Sequence, residues 1–312
     1  MPLLKVDNLK VHYPIRGGFF RTIKDYVKAV DGISFSIHEG ETYGLVGESG
    51  CGKTTTGRTI IGLNKATDGK VLLDTGSELV DLTKLSRKEF RKYRSDIQMI
   101  FQDPYSSLNV RKRVRDIIAE PLRNFESLTP EEEEQRIIDA LAKVGLGPEA
   151  MFKYPHQFSG GQRQRIGIAR ALVINPRLII ADEPVSALDV SVQAQVLNFM
   201  KDIQKDYNLS YLFISHDLGV VRHMCDRIGI MYNGRLVEEG TTEDIFENPQ
   251  HLYTKRLLSA IPNTDPKKRY ENKKLREEIN REYEAKTRQF FDENGRIYDL
   301  KPISATHYVA MP

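Results

Sequence analysis

The sequence predicts an α/β fold with a mostly parallel sheet core, an N-terminal antiparallel β region and a helical subdomain insert. Three observations predict it. Across residues 177–232, short apolar runs alternate with helical stretches, as they do in parallel strands covered on both faces. A glycine-rich octapeptide at 47–54 stands between an apolar strand and a helix. From 86 to about 164 the periodicity turns helical and charged, which reads as an insert.

The elements follow in chain order. Residues 3–13 alternate apolar and polar as a strand does, and a second such stretch covers 29–37 before the turn Glu39-Gly40-Glu41. Residues 42–46 form a short apolar strand, and 54–63 read as a helix whose end is marked by Gly62. Within the insert, Pro130 followed by four glutamates, Glu131 to Glu134, suits a helix N-terminus. Strands follow at 177–181, 210–214 and 227–232, with helices at 192–207 and 218–224 between them. From Pro262 the composition shifts to charge, with Lys267-Lys268-Arg269 and Lys273-Lys274 leading into an exposed helix through Arg288. The last two dozen residues are expected to be a peripheral tail.

Composition excludes several classes. The 312 residues carry 46 basic and 43 acidic side chains, a net charge of +3, with no clustered basic stripe of the kind nucleic-acid binders show. No nucleic-acid partner is expected. The two cysteines, Cys51 and Cys225, lack the spacing of a disulfide framework or a zinc site. No apolar run approaches the ~20 residues a membrane span needs, and the N-terminus becomes charged at Lys5, too early for the apolar core of a signal peptide. Work at a membrane would need a partner to supply the membrane part.

The chemistry concentrates in a few motifs. Gly47-Glu48-Ser49-Gly50-Cys51-Gly52-Lys53-Thr54 fits GxxxxGK[ST], the loop of P-loop NTPases. Its glycines let successive N–H groups curl around phosphate oxygens, the helix N-terminus adds its positive dipole end, and Lys53 reaches the β and γ phosphates of ATP. Thr54 places a hydroxyl on Mg²⁺, and Thr55 extends the nucleotide-binding set. Cys51 reads as a small spacer valued for its backbone N–H, although a helix N-terminus can lower a thiol's pKa.

Asp182 and Glu183 end the apolar run Leu178-Ile179-Ile180-Ala181. Asp182 suits metal binding, directly or through water, and Glu183 is placed to orient and deprotonate a water for in-line attack. His216 follows the next strand and so emerges at the same carboxyl edge, within reach of a γ phosphate, although a lone histidine is more often structural than catalytic. Gln102 closes another apolar run, and a surface glutamine is its plain alternative. Phe158-Ser159-Gly160-Gly161-Gln162 forms a second glycine-rich turn at a helix N-terminus, where a simple serine cap is the competing account.

Taken together, residues 47–54, Gln102, 158–162, Asp182-Glu183, Ser186-Ala187-Leu188-Asp189 and His216 resemble the nucleotide-binding subunits of ABC transporters, over about two-thirds of the chain. The resemblance implies an ABC-type nucleotide-binding domain over 1–261 with a 262–312 extension. It also implies a head-to-tail dimer in which Ser159, Gly161 and Gln162 serve the ATP of the partner. By the same likeness Gln102 senses Mg²⁺ and γ phosphate, His216 touches the γ phosphate, Asp189 reaches across the dimer and Tyr13 stacks on adenine; an edge-strand tyrosine is the other reading of Tyr13.

Residues 248–258, beginning Asn248-Pro249-Gln250-His251-Leu252-Tyr253, resemble the C-terminal motif of oligopeptide and dipeptide importer ATPases. So do Gln102-Asp103-Pro104-Tyr105-Ser106-Ser107-Leu108-Asn109 and 183–189. Phe158 stands where leucine is usual, and Leu252 where proline commonly precedes the tyrosine. Some relatives hold an iron-sulfur cluster near the C-terminus, and no cysteine follows Cys225, so no such cluster is expected.

Overall likeness is to the F-type subunit of that subfamily. This implies a peripheral ATPase at the cytoplasmic face of the cell membrane, partnered by a homologous D-type ATPase, two transmembrane permease subunits and an extracytoplasmic peptide-binding receptor. The rival readings are import of another solute such as dipeptide, nickel or sugar, export, or a soluble non-transport ATPase of the same type. A pure binding module is disfavoured, because Glu183 and His216 would have no use in it.

Overall fold

The computed structural model describes residues 1–17, 22–103, 105, 107–261 and 269–312, with backbone alone at 269–272. Pro104, Ser106, Pro262 and the Lys267-Lys268 pair lie outside the described residues. Two compact units emerge. One comprises Met1–Ser36, Thr42–Thr83 and Ser215–Pro312, the other Ile37–Glu41 and Lys84–Ile214.

In the first unit the chain begins with β1 (Leu4–Gly17) and β2 (Thr22–Ile37), continues through β3 (Thr42–Val46) and α1 (Lys53–Ile60), and forms β4 (Asp68–Asp74) and β5 (Leu79–Asp81). The antiparallel β region expected at the N-terminus is a four-stranded sheet in the order β2-β1-β4-β5, with Leu4 opposite Leu73 and Val6 opposite Val71. Those four side chains are buried, so strand alternation sets one apolar face.

The second unit opens with α2 (Arg87–Phe90) and β6 (Ile97–Ile100), then carries α3 (Val114–Phe125), α4 (Pro130–Lys143) and α5 (Gly160–Leu172). After β7 (Leu178–Asp182) and α6 (Val190–Tyr207) it ends in β8 (Ser210–Ser215). β8, β7 and β6 run parallel, with Ile97 opposite Leu178 and Ala181 opposite Phe213. The insert expected over 86–164 is therefore not helical throughout, since β6 belongs to the parallel ladder. Its four residues, Ile97-Gln98-Met99-Ile100, are too few to show a period against the charged helices around them. The glutamate run starts α4 as its composition requires. Thr129 caps the helix in a reciprocal box with Glu132, and Pro130 takes the first turn.

The chain returns to the first unit with α7 (Leu218–Met224), β9 (Arg227–Tyr232), β10 (Arg235–Thr241), α8 (Thr242–Glu247), α9 (Leu252–Ser259), α10 (Arg269–Lys286), β11 (Leu300–Pro302) and β12 (Tyr308–Ala310). β3 and β9 are parallel, with Leu45 opposite Gly229, and antiparallel β10, β12 and β11 extend the row. The hairpin joining β9 to β10 turns at Asn233-Gly234, both with positive φ (44° and 80°), the pair favoured in two-residue hairpin loops.

The expected peripheral tail is overturned. β12 pairs with β10, Val309 and Ala310 are buried, and His307 Nε2 lies 2.8 Å from the Glu238 carboxylate with both side chains sealed from solvent. A buried carboxylate needs such partners, and Glu238 also accepts from the N–H groups of Gln250 (2.7 Å) and His251 (3.0 Å). Short strands separated by polar turns carry too little pattern to announce this pairing in the sequence.

Candidate active site

The phosphate loop belongs to the first unit. All five residues of β3 are buried, which fixes the point from which the loop departs. At Gly47 a Cβ would fall 2.1 Å from the Met231 carbonyl oxygen, and at Gly52, where φ is +111°, 2.1 Å from that of Ala29. Backbone thus presses on the loop from β9 and from β2, and only glycine fits. The hairpin turn adds a tie, the Gly234 N–H donating to the Cys51 carbonyl at 3.0 Å.

Lys53, only 4% exposed, folds over the loop and donates through Nζ to the carbonyls of Gly47 (2.6 Å) and Glu48 (2.9 Å). A buried ammonium needs such acceptors, and these keep the cation at the centre of the loop. Thr54 and Thr55 lie half-buried in the first turn of α1, while Glu48, Ser49 and Gly50 are exposed. Burial pushes the Cys51 thiol up despite Lys53 beside it, which agrees with a spacer and not with an activated thiol.

Glu48 is the best-restrained of the exposed loop residues. Its N–H donates to the Tyr253 hydroxyl at 3.0 Å, and its carboxylate lies 3.6 Å from the Arg256 guanidinium. Both partners sit on α9, inside the 248–258 motif, where the sequence gives no sign of contact with residue 48.

Two further candidates share this unit. Tyr13, in β1, leaves its side chain exposed, while the adjacent His12 is pinned by Asp31 Oδ1 at 2.9 Å. His216 follows β8 directly and is exposed, and Asp217 behind it caps α7 by accepting from Gly219 N–H at 2.8 Å.

The second unit brings Gln102, Asp182 and Glu183 to one edge. β6 and β7 are parallel and in register, so all three residues leave the carboxyl ends of neighbouring strands. Asp182 is buried at the end of β7. Glu183 adopts φ +48°, a left-handed conformation costly for a residue with a Cβ, and the Glu183 N–H donates to the Ile214 carbonyl at 2.9 Å. Its carboxylate accepts from Gln102 Nε2 at 2.8 Å. The loop beyond is fastened by Gln193, whose Nε2 donates to the carbonyls of Val185 (3.0 Å) and Leu188 (2.9 Å).

The same unit carries the second glycine-rich turn. Ser159 caps α5: Ser159 Oγ accepts from Gln162 N–H (3.3 Å), and Gln162 Oε1 accepts from Ser159 N–H (3.1 Å). The plain helix cap is therefore made, and both side chains remain exposed. Gly161 is buried, and a Cβ there would meet Val192 Cγ1 at 2.2 Å, so this glycine is needed for helix packing whatever else it contacts. Asp189 stands at the N-cap of α6, exposed, and its carboxylate makes no capping bond.

A family model for ABC transporters matches residues 30–186, and one for the oligopeptide/dipeptide transporter C-terminal region matches 237–292. The oligopeptide transport ATP-binding protein OppF of Lactococcus lactis subsp. lactis is 57% identical over 99% of this chain and 96% of its own length. OppF of Bacillus subtilis is 51% identical over 98% of this chain and 95% of its own. Among solved structures, cbiO1 from Clostridium perfringens, part of the ABC transporter complex cbiONQ, superposes with a TM-score of 0.68 at 28% identity, covering 82% of this chain and 95% of that one. The dimeric ATP-binding cassette MJ0796, in a post-hydrolysis state bound to ADP and Pi, gives a TM-score of 0.67 at 28% identity, covering 77% and 98%. The chain belongs to the ABC transporter family of ATP-binding proteins, in the branch that carries the oligopeptide/dipeptide transporter C-terminal region.

Proposed function

We propose that this chain is the ATP-hydrolysing subunit of an oligopeptide importer. It binds ATP at the 47–54 loop and hydrolyses it in a head-to-tail dimer whose closure drives transport through separate membrane subunits. The near full-length likeness to oligopeptide transport ATP-binding proteins supports the cargo class, and no described helix is long and apolar enough to cross a membrane. The subunit works peripherally, at the cytoplasmic face of transmembrane permease subunits. A D-type ATPase completes the nucleotide-binding pair, and an extracytoplasmic receptor delivers peptide.

Glu183 carries the hydrolytic part of this reading. A strained backbone and a bond from Gln102 hold one carboxylate at the edge where ligands bind in open α/β sheets, an arrangement mere nucleotide binding does not need. In the closed dimer Glu183 orients the attacking water and takes its proton, Lys53 and His216 meet the γ phosphate, and Tyr13 stacks on adenine. Ser159, Gly161 and Gln162 present donors to the partner's nucleotide. The oxygen donors of Thr54, Gln102 and Asp182 suit Mg²⁺, and with Nε2 given to Glu183, Gln102 still has its amide oxygen to offer. The ion supplies charge neutralisation at the phosphates.

Glu183→Gln tests the assignment. It removes the base and leaves the remaining donors in place, so nucleotide binding persists, an ATP-bound dimer accumulates in gel filtration, and turnover falls by about 10²–10⁴-fold. Turnover at the wild-type rate without a trapped dimer overturns it.

A further inference from the structure

We propose that Tyr253 is a positioning residue of the phosphate loop, through which α9 and the aromatic side chains of Tyr283 and Phe290 hold that loop in its nucleotide-receiving shape. The proposal rests on the ATPase reading above and deepens it.

The Gly47 carbonyl and the Glu48 N–H belong to the same rigid unit. Lys53 Nζ holds its oxygen at 2.6 Å, and Tyr253 Oη holds its N–H at 3.0 Å. Rotation of that plane moves the acceptor on which the Lys53 cation rests, so the phenol helps to set where the phosphate-binding charge lies. The Arg256 guanidinium, 3.6 Å from the Glu48 carboxylate, restrains the same residue from the side-chain end.

The phenol itself has no freedom. Tyr253 is fully buried, its ring centroid 4.5 Å from that of Tyr232 and 6.3 Å from that of Tyr283. Phe290 closes the cluster against Tyr283 (5.7 Å) and His251 (4.5 Å). Tyr283 Oη donates to Tyr232 Oη at 3.2 Å, and the Arg256 guanidinium lies 4.3 Å from the Tyr283 ring centre. The backbone is fixed as well, His251 Nδ1 accepting the Tyr253 N–H at 3.2 Å while Glu238 accepts that of His251. This aromatic nest fixes the Tyr253 ring, and the Tyr253 hydroxyl reaches the loop.

Tyr253→Phe in the full-length chain, assembled with its partner subunits, keeps the ring and deletes the hydroxyl. The ATP KM should rise about fivefold, the worth of one backbone hydrogen bond, with kcat at saturating ATP within about twofold of wild type. Amide hydrogen exchange at Glu48 should accelerate while α9 stays protected. A purely structural tyrosine would instead loosen α9 and leave KM unchanged, and that result overturns the proposal. Should the variant not fold, exchange in the wild-type protein decides: a Glu48 amide no slower than those of Ser49 and Gly50 also overturns it. Lys53→Ala in the same assembled complex separates the two claims, because turnover retained at the wild-type rate there defeats the ATPase reading itself, whatever Tyr253 does.

Discussion

The phosphate loop and the paired turns of the second unit reach readiness by opposite routes. The loop is satisfied from within its own unit: two carbonyls press on its glycines, Lys53 is bonded to its own backbone, and Glu48 is held by Tyr253. In the second unit, Asp189 leaves its carboxylate without a capping bond, Ser159 and Gln162 stand exposed at a helix end, and Glu183 is held at positive φ. A loop that receives its nucleotide without a second subunit can be shaped by bonds within its own unit. On the proposed head-to-tail reading, groups that act only when a second subunit arrives keep polar atoms outward, and the second unit leaves Ser159, Gln162 and Asp189 exposed.

The most severe way to break the closed side is Lys53→Ala. It removes the buried cation and frees the Gly47 and Glu48 carbonyls together, so turnover should fall below detection, by more than about 10³-fold. Phosphate release by the assembled complex measures it, and retained turnover would show that the loop's internal bonding has no bearing on catalysis.

How much of this contrast the sequence reveals depends on whether a feature is local. The glycine loop, the strand before it and the capped start of α4 are legible because each is written in consecutive residues. The helical insert is misread at β6, where three apolar residues around Gln98 cannot outvote their charged surroundings. The hairpin at Asn233-Gly234 had a local signal of its own, the most favoured pair for a two-residue turn, and following it would have led to β10. Nothing local announces that β12 seals Glu238 with His307, or that Tyr253 meets Glu48 across 205 positions of chain. Contacts of that kind depend on topology, which periodicity does not encode.

The support of the closed side can be sharpened by pH. Burial pushes the His251 imidazole down to about 4, and its Nδ1 accepts the Tyr253 N–H, a role open only to the neutral ring. Between about pH 6.5 and 4 the unfolded chain binds a proton that the folded one refuses, so stability declines as pH falls through this window, by on the order of 3 kcal/mol. Urea unfolding at pH 7 and pH 4.5 should show it. His251→Asn supplies an amide oxygen as the cap without a titrating ring, so its loss of stability over the same interval should be smaller. Equal slopes for the two proteins would exclude His251 as the source.

The smallest expected effect probes the open side. Asp189 sits where an N-cap belongs, yet its carboxylate bonds no α6 amide, so Asp189→Ala forfeits only its interaction with the helix dipole, under about 1 kcal/mol. Its cost should appear instead in the dimer, as a several-fold loss of ATPase activity in the assembled complex with little change in melting temperature. The opposite pattern, a lowered melting temperature with full activity, would make Asp189 an ordinary helix-starting residue. The exposed turns of the second unit would then need another explanation than a waiting partner.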